Sequence, residues 1–253
     1  MHGELFDSTI PFGEPELMRA SASRRYLDEM DAKLDQASLA SARISELSPS
    51  LRADLYRFEM EDGGTGVVDV MAACVRHSKR VTIHLQCGDH VVPLTVFPQE
   101  RLVHCPIDIG ELIGKQLPLL EVMHIEPAVL QPPGDSADAS LVGDAAAHYP
   151  LSPLLWELAI RGVRRELLPE IMGPAVYRVS PALDIAALPA TGVLKATIMR
   201  LRRQSANLPD IAGWPGLNRE RASRLLNALY LQAGLIVSRA HPDAVREGWF
   251  SGL

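Results

Sequence analysis

One stretch constrains the architecture more than any other. Residues 208–239, LPDIAGWPGLNRERASRLLNALYLQAGLIVSR, read as a short helix, a tight turn at Trp214-Pro215-Gly216, a long helix and a closing strand. Asn218 fits the N-cap of the long helix, where its side-chain oxygen can accept a first-turn amide. Gly234 is the matching stop, free to enter the left-handed conformation that ends a helix. Between them Ala222, Leu225, Leu226, Leu229 and Ala233 recur at helical spacing and define a buried face. Upstream, residues 192–203 carry Leu194, Ile198 and Leu201 at the same period. Helix, helix, turn, helix and strand is the order of a winged helix-turn-helix.

Two partners compete for such a unit. Residues 191–239 hold eight Lys and Arg against two acids, Asp210 and Glu220, in a chain of formal charge −6. A local basic patch is the electrostatic footprint of phosphate binding. The long helix argues the other way, because the positions opposite its buried face are Glu220, Arg224, Asn227 and Leu231. Arg224 and Asn227 suit base edges, but an acid at the entering end repels phosphate and a Leu at the far end reads nothing. That mixed, partly apolar ridge is expected to meet polypeptide, with DNA as the alternative.

At 253 residues the chain can form one large or two ordinary domains. Aromatic residues make up only 5%, too few for stacking platforms along single-stranded nucleic acid. Three Cys favour a reducing, cytoplasmic setting over a disulfide framework. The first residues show neither a basic nor an apolar leader region, and no uncharged apolar run approaches the roughly 20 residues a bilayer crossing needs.

Along the chain, residues 1–50 are expected to form a helical arm, with Leu17, Ala20, Leu27 and Leu34 at helical spacing interrupted by charge. Residues 51–130 read as a compact α+β domain: a strand near 55–60, a Gly-rich turn at 62–66, and a helix burying Val67, Val70, Met71 and Cys74. An antiparallel meander follows, with a hairpin turn at Gly88-Asp89. Helical turns come next, and then an extended segment near 122–125. Residues 131–150, rich in Pro, Gly, Ser, Asp and Ala, are expected to be a linker. Residues 151–253 begin with a helix in the cap-then-proline order Ser152-Pro153, burying Leu154, Leu155, Leu158 and Ala159. Arg161, Arg164 and Arg165 cluster near its end, where positive charge suits the helix dipole or an anionic partner. A strand at 176–179 and a short helix at 183–188 precede the winged-helix segment, and Trp249-Phe250 lie in the tail.

Catalytic and metal motifs are not in evidence. Cys74-x-x-His77 and His84-x-x-Cys87 invite a zinc reading, yet Cys74 and Cys87 fall on apolar faces while His84 points across its strand. No catalytic residue, metal ligand or cofactor site is assigned. No nucleophile elbow, HExxH, P-loop or dinucleotide fingerprint occurs.

The helix VVDVMAACVRHSKR, the strand RVTIHL, the pair VVPLTVF and RLVHC, and Gly110-Glu111 after them together resemble the PATAN domain family of bacterial signalling proteins. Members often carry a downstream helix similar to LLWELAIRGVRREL and a winged-helix-like end similar to 192–239. The resemblance implies a non-catalytic adaptor in bacterial signalling or motility control. The expected fold is therefore α+β, a small antiparallel sheet with packed helices followed by a mainly helical, winged-helix-like domain. The expected contact residues for a protein partner are Glu220, Arg224, Asn227, Leu231, Arg161, Arg164 and Arg165.

Overall fold

The computed structural model describes residues 17–34, 49–51, 53–54, 66–134 and 139–239. The strand expected near 55–60, residues 62–65 of the expected glycine turn, and Trp249-Phe250 lie outside the described residues. The fold is α+β. Helix α1 (Ala20–Leu34) is tied to the first hairpin through Ala20 N–H to the Asp89 carbonyl, at 2.8 Å. Helix α2 (Val67–His77) forms where the apolar spacing runs 67, 70, 71 and 74, and it ends at Ser78 in the left-handed region, φ 50°.

Strands β1 (Val81–Cys87), β2 (His90–Phe97), β3 (Leu102–His104), β4 (Glu121–Pro127) and β5 (His148–Pro150) make a five-stranded antiparallel sheet in the order β4-β1-β2-β3-β5. Gly88 turns the β1–β2 hairpin at φ 62°, a conformation that costs glycine little. Register pairs Ile83 with Leu94 and Leu85 with Val92, so alternate side chains of both strands enter the core beneath α2.

Helix α3 (Leu151–Arg161) follows the sheet directly. Strand β6 (Val176–Val179), helix α4 (Gly192–Arg203), strand β7 (Ala206–Asn207), helix α5 (Leu208–Ala212), helix α6 (Arg219–Leu231) and strand β8 (Leu235–Ser238) complete the chain. A second sheet has the order β7-β6-β8. The two halves share one apolar core, with α3 packed on α2 on one side and on α6 on the other. No described helix is long and apolar enough to cross a membrane.

Four local expectations are corrected. The stretch 131–150 does not end as a free linker, since β5 pairs with β3 through Leu102 to Pro150 and His104 to His148. Backbone ladders need no apolar side chains, and an edge strand tolerates a terminal proline. Helix α3 starts one residue before the expected cap, because Pro150 is held extended in β5 and Leu151 N–H bonds the Arg101 carbonyl at 2.8 Å. The expected helix at 183–188 is a run of turns. There Ser180 Oγ accepts from Ala182 N–H and Asp184 Oδ1 from Ala186 N–H, local bonds that compete with a helix. At the end of α6 the left-handed residue is Ala233, φ 54°. Gly234 serves close approach instead: a Cβ there would stand 2.5 Å from Leu183 Cδ2.

Candidate functional site

The face of α6 expected to look outward lies against α3 and the loop after it. Leu231 is 1% exposed and Asn227 1% exposed. Asn227 Oδ1 accepts from Leu168 N–H and its Nδ2 donates to the Glu166 carbonyl, both at 2.8 Å. Arg224 Nη1 donates to the carbonyls of Ile160 at 3.0 Å and Gly162 at 2.6 Å, while its Nε meets Glu220 at 3.0 Å. Buried carbonyls and amides must find partners, and here the end of α3 and its following loop find them in Arg224 and Asn227. These two residues and Leu231 are therefore unavailable as contact residues for a partner. Period alone showed which positions share a face, but not that a second element covers it.

The arginines after α3 divide in the same way. Arg164 bonds the buried Asp69 at 2.5 Å and the carbonyls of Glu166 and Leu167, fastening this loop to α2. Burial raises the Asp69 pKa and the neighbouring Arg164 works against it. Arg161 is exposed, meeting Glu157 at 3.3 Å and the Gly114 carbonyl. Arg165 is largely exposed, 3.9 Å from Glu220. Only Arg161, Arg165 and Glu220 of the seven expected residues keep substantial solvent contact.

A different surface gathers several exposed cations. Lys195, Met199 and Arg203 form an exposed row along α4, with Ala196 and Arg200 beside it; Thr197, Ile198 and Leu201 face the core. Arg200 lies over the Trp214 ring, 4.0 Å from its centre, a cation–π contact. Arg221 donates to the Gly216 carbonyl at 2.6 Å, and Gly216 adjoins Val193 closely enough that a Cβ would stand 2.8 Å from it. The turn at 214–216 thus gathers the exposed ends of α4 and α6. Among the described residues, Lys195, Arg200, Arg203, Arg219 and Arg221 form no ion pair. The charge count located these cations in the sequence, but not which of them stand exposed on α4.

The Cys/His window separates as its alternation requires. Cys74, Cys87 and Cys105 are free and buried, and burial pushes the Cys74 thiol up to about 12 and Cys105 to about 11. His84 is on the other side of β1 with His124, and its Nε2 is 3.0 Å from Glu126. No group of three or more metal-ligating side chains converges among the described residues.

One ionisable cluster joins Ser50, Asp54, Arg76, His77 and Glu170. His77 Nε2 is 2.6 Å from Asp54 Oδ2 and its Nδ1 is 3.4 Å from Ser50 Oγ. The serine contact is long for a hydrogen bond, and Ser50 is exposed. Asp54 is also paired to Arg76, which bonds Glu170 at 2.9 Å, so the cluster is an ion network fastening α2 to its neighbours. Comparison of the chain with family models, with curated proteins and with solved structures gives no match.

Proposed function

We propose that this chain is a non-catalytic regulatory adaptor that works by holding another protein, with the exposed basic face of α4 as its docking surface. The role in bacterial signalling or motility control follows from the PATAN resemblance. The carrying observation is the exposed row Lys195, Met199 and Arg203 of α4 beside Arg200 over Trp214, cations that form no ion pair among the described residues. Charge of that kind favours an acidic partner and steers its approach, and it leaves the exposed Met199 to be covered. The partner best matched is therefore a polypeptide segment carrying Asp or Glu around an apolar residue.

The same charge favours a second reading, a transcription regulator. Against it, Arg224 and Asn227, the residues of α6 suited to base edges, are committed within the fold. Two measurements separate the readings, each made with wild-type protein and with the double reversal Lys195→Glu, Arg203→Glu. An acidic peptide with one central Leu or Trp should bind wild type and lose at least about tenfold in affinity with the reversal. Duplex DNA should bind neither protein tightly at physiological salt. A DNA shift with a steep salt slope, abolished by the reversal, would put the regulator in place of the adaptor.

A further inference from the structure

A cavity of about 320 Å³ opens between the β2–β3 turn, the start of α3, the turns at 182–189 and the end of α6. It shares no residue with the α4 face. We propose that it binds a small molecule bearing a carboxylate or phosphate, whose anionic group is received by Arg101.

Arg101 is half-buried, and no carboxylate pairs with it among the described residues. Its Nη1 donates to the Leu231 carbonyl at 3.3 Å, and its Nη2 to Ser152 Oγ and Gln232 Oε1, both at 3.0 Å. All three acceptors are neutral. Ser152 Oγ in turn donates to Gln232 Oε1, and Gln232 Nε2 to the Ser152 carbonyl, each at 2.8 Å, closing a ring that fixes the guanidinium. An arginine has five N–H donors, so Nε and one hydrogen on Nη1 have no partner among the described residues. The α6 carbonyl end offsets part of the charge, but taking a guanidinium out of water without a full counter-charge is costly. Burial accordingly lowers the Arg101 pKa. Arg101 also sits at φ 56°, a backbone region that non-glycine residues enter where their surroundings fix them.

The remaining walls agree with an organic anion. Leu183, Leu188 and Pro153 supply apolar wall for a carbon skeleton. Asp184 is at the exposed side, bonded back to Ala186 N–H, which directs an anion toward the Arg101 end. A volume near 320 Å³ suits a molecule of a few carbons.

The test is isothermal titration of the full chain at low salt, with inorganic phosphate and with succinate in separate runs. The expected result is saturable one-to-one binding of at least one probe by wild type, with the better probe naming the anion class. Arg101→Gln should weaken it at least about tenfold. So should Ala187→Phe, which fills the cavity from its loop and leaves every Arg101 bond in place. Arg203→Glu on the α4 face should bind as wild type does. If Arg101→Gln fails to fold, Ala187→Phe decides alone. The proposal is overturned if neither probe saturates the wild type by about 50 mM, if binding survives Ala187→Phe, or if Arg203→Glu abolishes it. None of these outcomes depends on whether the α4 face holds a protein.

Discussion

Asn227→Ala separates a helix that reads the outside from one that organises the interior. The substitution strands Leu168 N–H, on a residue that is 0% exposed, where water cannot replace the lost acceptor. A buried donor left unmade costs about 1–3 kcal/mol. The Glu166 carbonyl belongs to an exposed residue and can turn to water, so its lost bond adds only about 0.5–1.5 kcal/mol. The sum is about 1.5–4.5 kcal/mol, and at about 2–4 °C per kcal/mol for a chain of this size Tm should fall by roughly 3–18 °C. Thermal unfolding followed by far-ultraviolet circular dichroism reads this directly, and a urea titration with unchanged slope confirms it. Arg203→Ala, on the exposed row of α4, serves as the reference and should stay within about 0.5 kcal/mol of wild type. If Asn227→Ala behaves like that reference, α6 has a solvent-facing side and the assignment of the docking surface to α4 loses its basis.

Gly162→Ala should cost about 1–3 kcal/mol, since its Cβ would stand 2.2 Å from the Leu158 carbonyl oxygen and the backbone must shift. A neutral result in the same melt would contradict the packing at the end of α3. The three thiols should resist iodoacetamide in the native protein at pH 8 and react fully in guanidinium, because burial suppresses the thiolate; rapid native labelling of Cys74 would refute this. His104 is held below its ordinary 6.5, first by burial and then by His148, with Asp144 opposing. Its folded form therefore binds fewer protons than the unfolded chain, and stability should fall as pH drops below 6.5 toward the lower folded value. Urea midpoints across that window should fall less steeply in His104→Phe, and an equal slope would exclude His104 as a contributor.

Local chemistry was legible where it is settled by neighbours in the chain. Asn218 does cap α6, accepting from Arg221 N–H at 2.8 Å, and Gly88 does turn the hairpin. The α+β class followed from the same alternation and helical spacing. What the sequence could not reveal depends on distant segments. Arg224 and Asn227 look like surface residues by polarity, yet their partners lie about sixty positions away. The ring of Arg101, Ser152 and Gln232 spans separations of 51 to 131 residues, with no local signature at any of the three. Composition likewise hid β5, because a polar, proline-bearing stretch masked a three-residue strand whose Tyr149 packs against the core.

The position of α3 has a practical consequence for dissecting the chain. It is a party wall: one side closes the space under α2, the other closes the space over α6. A gene cut between residues 131 and 150 would give an amino-terminal fragment lacking that wall and a carboxy-terminal one displaying it bare. Mixed together, the two pieces should recombine; kept apart, each should stick to itself.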